Sequence, residues 1–166
     1  MSSASSAATD RRGCVARCLI IGCGCRGRAL ARELIARGHS VRGTTRSPDR
    51  CAAIAEAGAE AVVADPDRVA TLAPALAGVT VVCVLLGDAR GSDAELAALH
   101  GPRLEMLLAR IVDAPVRALV HEGRAGASLV SSTCVRSRIP FALTRVIDPP
   151  DVVAAAVDQL LTSPTR

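Results

Sequence analysis

Apolar residues along this chain fall into two recurring patterns. Short continuous runs, at residues 15–21, 41–45, 60–64, 79–86, 116–121 and 140–144, alternate with longer stretches in which apolar side chains recur every three or four positions. The short runs read as strands buried on both faces, and the spaced stretches as helices with a single apolar stripe. After the first strand, Gly27, Leu30, Ala31, Leu34 and Ile35 form such a stripe, and Gly38 stops it. A second helix is expected over 48–57, with Ser47 as its cap, Pro48 in its first turn and Gly58 at its end. A third is expected over 67–77, carrying Pro74. Ser92 and Glu95 form a capping box for a short helix, which Gly101 and Pro102 interrupt before another over 103–112. A helix over 127–136 follows. The last is capped by Asp148, has Pro149 near its first turn, and is striped by Val153, Ala156, Val157, Leu160 and Leu161.

Strands alternating with helices imply right-handed crossovers and a parallel sheet covered on both faces. The expected fold is therefore α/β: a three-layer, doubly wound parallel sheet of about six strands. The 166 residues suit one core. Residues 14–166 form the expected single domain, and the polar, Ser/Ala-rich residues 1–13 a disordered leader. In such a sheet, function gathers at the carboxyl ends of the strands.

Composition narrows the chemistry. One residue, Phe141, is aromatic, so Ala, Val, Leu and Ile must fill the core. All 20 basic residues are Arg, and Lys, Asn, Tyr and Trp are absent. That excludes a Schiff-base lysine, a P-loop lysine, a tyrosine acid and an aromatic stacking platform. The net charge of +4 is spread along the chain and carries no specific nucleic-acid signal. No apolar run has the length of a membrane span, and the amino terminus has no secretory core, so the expectation is a cytoplasmic protein away from membranes. Cysteines 14, 18, 23, 25, 51, 83 and 134 are odd in number, and no pair is spaced as CxxC. They read as small packing residues, and no metal site is expected.

Gly22, Gly24 and Gly27 form G-x-G-x-x-G directly between the first strand and the first helix. Gly22 permits the tight turn, Gly24 lets backbone approach a diphosphate, and Gly27 brings helix and strand close. Helix N–H groups would hold the diphosphate, with Cys25 and Arg26 in the same cradle. An NAD site expects an acidic residue at the end of the second strand. Here Thr45, Arg46 and Ser47 stand there instead, a guanidinium flanked by hydroxyls that suits the 2′-phosphate of NADP better than the free ribose of NAD.

The segment LIIGCGCRGRALARELIARGHSVRGTTRSPDR resembles the start of atypical short-chain dehydrogenase/reductase and NAD-dependent-epimerase-like proteins, continuously from about Leu19 to Asp65. The resemblance implies an NAD(P)-binding Rossmann fold, with Asp65 against the adenine. The loop 87–93 and the glycine-rich residues 123–127 would flank the nicotinamide end, with Leu86 and Gly87 among the cofactor-binding residues. Beyond Thr144 the resemblance fails, where relatives continue into a substrate-binding region. In length and glycine turn the chain also resembles the ligand-binding domain of potassium-uptake regulators, but lacks their acidic residue after strand two.

The family's catalytic Tyr and Lys have no counterpart, so tyrosine-dependent reduction is excluded within one protomer. A replacement acid or base would come from His121, the foremost candidate, Glu122 or Asp88. Two functions are weighed. One is an NADP(H)-binding sensor or regulatory module that reports to a protein partner or a second copy of the chain. The other is a small NADP-dependent oxidoreductase that uses His121 or a partner subunit for proton transfer.

Overall fold

The computed structural model describes residues 14–163, so the leader expected over 1–13 lies outside the described residues. Six strands form one parallel sheet: β1 (Arg17–Ile21), β2 (Ser40–Thr45), β3 (Glu60–Val63), β4 (Val81–Val84), β5 (Ala118–Glu122) and β6 (Phe141–Thr144). Their spatial order is β3-β2-β1-β4-β5-β6. The chain winds outward from β1 in one direction and from β4 in the other, which opens a crevice at the carboxyl ends of β1 and β4. Helices α1 (Cys25–Ala36), α2 (Cys51–Glu56), α3 (Asp93–Ala98), α4 (Leu104–Val112), α5 (Ala127–Ser137) and α6 (Pro150–Thr162) join the strands and cover both faces.

Alternation along the strands sends successive side chains into two apolar layers. Ile20, Cys83 and Val120 pack with Leu30 and Leu34 of α1 and Val153 and Val157 of α6. Leu19, Val82 and Leu119 pack with Leu107, Leu108 and Ile111 of α4 on the opposite face. Cys18, Cys23, Cys83 and Cys134 are buried as small core residues, and burial pushes the thiols of Cys18 up to about 12 and of Cys23 and Cys134 up to about 11. Among the described residues no helix is long and apolar enough to cross a membrane.

Several local expectations are corrected. Residues 67–77 contain a 3-10 turn, Val69–Leu72, in place of an α-helix. Pro74 supplies no N–H, and the buried guanidinium of Arg42 donates to the carbonyls of Ala75 and Ala77 at 2.7 and 3.1 Å, holding the segment irregular. The helix expected over 48–57 is split into a 3-10 turn, Pro48–Arg50, and α2, and Ser47 makes no side-chain cap. The Ser47 N–H donates to Thr45 Oγ1 at 3.2 Å instead. Asp148 does not cap α6: its carboxylate accepts from the Arg145 N–H at 2.8 Å and from the Arg145 guanidinium at 3.0 Å. His39 ties three elements together. It accepts the Ala16 N–H on Nδ1, and its Nε2 lies 2.8 Å from Asp158, joining β1, the end of α1 and α6.

Candidate functional site

The glycine turn stands at the mouth of the crevice. Gly22 has a φ of +83°, and a Cβ there would lie 2.5 Å from the Leu85 carbonyl oxygen, so turn and β4 fit only around glycine. The Gly22 and Cys23 N–H groups donate to Thr44 Oγ1 and the Thr44 carbonyl, which pins the turn to β2. Gly27 packs on the Gly22 carbonyl and Ile20, as helix–strand approach requires. Gly24 differs: a Cβ there would meet nothing within 4 Å. Among the described residues no side chain caps α1, and Gly24, Cys25 and Arg26 at its start line the crevice, where a ligand could use the first-turn N–H groups.

A cavity of about 440 Å³ runs along the carboxyl edge from this turn. Gly22, Gly24, Cys25 and Arg26 line one wall, Thr45, Arg46 and Arg50 one end, and Leu86 and Asp88 the side toward β4. The structure thus brings seven of the sequence-predicted residues together. Four others lie off the cavity wall. Gly27 serves helix packing, and Ser47 lies between the bend at Arg46 and the 3-10 turn that starts at Pro48. Gly87 is wedged against Val146 and the Glu122 carbonyl, where only a hydrogen fits. Asp65 turns its carboxylate to the Asp67 N–H at 3.0 Å, and Asp67 reaches the cavity in its place.

At the basic end, Asp67 accepts from Arg103 at 2.7 Å and lies 3.9 Å from Arg46, whose side chain is 69% exposed. Arg50 and Asp67 were missed by sequence reasoning because both follow from the turn geometry after β2 and β3. Glu95, Leu96 and Leu99 of α3 and the turn after it close the cavity's far side.

His121 is fully buried on the α4–α5 face and does not line the cavity. Its Nε2 lies 2.9 Å from the Ala125 carbonyl, an acceptor, so this nitrogen carries the hydrogen and donates. Burial holds the imidazole below its ordinary value. The structure therefore gives His121 no access to a ligand in this crevice. The next residue faces the other way. Glu122 lines the cavity, its side chain 1% exposed, and it accepts a hydrogen bond from Arg26 of the glycine turn. Burial pushes its carboxyl above the ordinary range against the opposing pull of Arg26, and the neighbouring Asp88 adds to the rise. Glu122 Oε1 has no hydrogen-bond partner among the described residues.

Comparison with known proteins agrees with this geometry. An NAD(P)H-binding family model matches residues 22–159, and the chain belongs to that family. An NAD-dependent epimerase/dehydratase-type protein of Bacillus halodurans superposes with a TM-score of 0.72 at 17% identity, covering 89% of this chain and 90% of that one. The NADP(H) complex of triphenylmethane reductase from Citrobacter sp. superposes with a TM-score of 0.61 at 17% identity, covering 76% of this chain and 48% of the reductase. A short-chain dehydrogenase/reductase superfamily protein from Agrobacterium tumefaciens with bound NAD gives a TM-score of 0.52 at 27% identity, covering 64% of this chain and 32% of that one. The chain thus spans half or less of the length of several structures it resembles. No curated protein sequence matches it. The protein is an NAD(P)-binding Rossmann protein related in fold to atypical short-chain dehydrogenase/reductases and epimerases.

Proposed function

We propose that the chain binds NADP(H) along the 440 Å³ cavity and acts as a dinucleotide-responsive sensor or regulatory module, without tyrosine-dependent catalysis. The observation that carries this reading is the open glycine turn at one part of the cavity and two arginines, Arg46 and Arg50, at its end. The turn would receive the diphosphate, and the arginines the 2′-phosphate. A sensor also needs a listener, and the reading includes a protein partner or second copy of the chain that responds to occupancy. Calorimetric titration with NADP, NADPH, NAD and NADH at one salt concentration tests it. Binding confined to the phosphorylated pair is expected. Equal or tighter binding of NAD would instead give Asp67 the ribose 2′-hydroxyl and overturn the NADP preference.

A second reading rests on Glu122. A buried carboxyl that burial pushes above the ordinary carboxylate range, set in the cavity wall at the end of β5, is a candidate proton donor for an oxidoreductase. NADPH oxidation in the presence of small carbonyl compounds, lost in Glu122→Gln, would support it over the sensor. His121 has no such position.

A further inference from the structure

A second cavity, of about 300 Å³, lies beside the first between α1 and the segment leading into α6. Its walls are largely apolar, from Ala29, Leu30, Ile147 and Val153. The two cavities share Cys25, Arg26, Leu85 and Glu122, so the Arg26–Glu122 pair stands between them. We propose that this pair is a latch across the cofactor crevice: the diphosphate of an incoming dinucleotide takes Arg26 away from Glu122, and the carboxylate left behind takes up a proton from solvent. This deepens the cofactor reading above and rests on it.

The two halves of the latch are unequally free. The Arg26 side chain is 35% exposed and belongs to the cradle itself, whereas Glu122 is 1% exposed and fixed on the last position of β5. Arginine is able to turn to a phosphate, and the carboxylate cannot follow it. A buried charge that loses its only counter-ion is strongly disfavoured, and a carboxylate resolves this by protonating. Among the described residues Arg26 is the one cation paired with Glu122. Asp88, on the loop after β4, repels a second negative charge. From the segment before α6, Asp148 is negative and Arg145 is already paired with it. Among the described residues, Thr144 of β6 brings only an unpartnered hydroxyl, and the Gly87 N–H is a neutral donor. His121 faces the opposite side of the sheet. The balance is simple: one ligand and one proton enter, one ion pair is replaced by another, and no covalent bond changes apart from the new O–H on Glu122.

Proton uptake makes affinity fall as pH rises through the window that starts at Glu122's raised free-state value and ends at its still higher value in the complex. The test is calorimetric titration of NADPH in two buffers of different ionisation enthalpy, across neutral pH. The wild type is expected to take up as much as about one proton per ligand. Glu122→Gln should abolish the uptake, flatten the pH dependence and tighten binding several-fold at high pH, because glutamine releases Arg26 to the phosphate. A structural role for Glu122 predicts weaker binding instead, and that result overturns the latch. Should Glu122→Gln not fold, Arg26→Met supplies the same readout, with weaker binding and no uptake expected. NADPH binding without proton uptake in the wild type overturns the latch and leaves the cofactor reading standing. No binding at all overturns both.

Discussion

Gly22 and Gly24 lie two residues apart in one turn and answer to different constraints. Gly22 has a left-handed backbone and a carbonyl oxygen where a Cβ would go, while Gly24, at a φ of −78°, faces open space. Gly22→Ala is therefore expected to lower folding stability by more than about 1 kcal/mol, read as a shift of the urea midpoint. Gly24→Asp should leave that midpoint in place and abolish dinucleotide binding, since its carboxylate would stand where the diphosphate enters; retained affinity in the folded variant would contradict the turn assignment. His121 and Glu122 show the same divergence between neighbours. Strand alternation sends His121 into the α4–α5 layer and Glu122 to the α1–α6 side, where Arg26 meets it. Both were visible in the sequence as ends of strand five, but which of them faced the crevice depended on register, and a continuous apolar run carries no sign of its register. Burial holds the folded-state value of His121 below its ordinary 6.5. Its contribution to stability is therefore full above 6.5 and declines as pH falls below it. Urea unfolding between pH 7.5 and 5.5, as a rough working range, should show that decline, and His121→Leu should make it shallower.

Elements that end in a glycine or open with a reciprocal cap were legible, and those whose ends are set by distant side chains were not. The Ser92–Glu95 capping box forms as expected: the Glu95 N–H donates to Ser92 Oγ at 3.3 Å, and the Glu95 carboxylate accepts the Ser92 N–H at 2.7 Å. The failed helix over 67–77 has the right apolar spacing, and Val69, Leu72, Ala75 and Leu76 are all buried. The sequence did not disclose that Arg42, more than 30 positions earlier, would claim two of its carbonyls. Asp148 misled for a similar reason, because an acidic residue before a proline caps a helix or closes a local turn with equal ease, and Arg145 decides for the turn. Helix α3 offers a test at this scale. It buries none of its residues, yet Glu95 and Leu96 line the cavity. Ser92→Ala removes a cap worth about 1 kcal/mol. Because α3 contributes little to the core, the variant should keep its global unfolding midpoint while NADPH affinity drops several-fold. A matching loss of both would mean that α3 folds as one unit with the sheet.

Strand order is the property of the whole molecule that turns scattered residues into one site. Reversal of direction between β1 and β4 gathers the glycine turn, the bend after β2, the loops after β3 and β4, the start of α3 and the end of β5 around one crevice. The alternation of strands and helices announced a doubly wound parallel sheet, because right-handed crossovers leave few other ways to wind six parallel strands. What it left open was the detail at the far ends of the crevice, where Asp67 in place of Asp65 reaches the wall beside Arg46 and Arg50. A ligand that touches six segments spread along the sequence must stabilise the entire fold, since each segment is lost on unfolding. At a concentration about one hundred times its dissociation constant, NADPH should add about 2.7 kcal/mol, a rise of roughly 5–10 °C in Tm for a domain of this size. NADH at the same concentration should give a smaller rise. In Arg46→Ala the two rises should converge, because the variant loses a charged hydrogen bond to the 2′-phosphate, a loss of about tenfold in affinity, and has nothing to lose toward NADH. Differential scanning calorimetry of the two proteins with the two ligands decides it: a Tm difference that survives in Arg46→Ala would move phosphate recognition to Arg50, the other arginine at that end of the cavity.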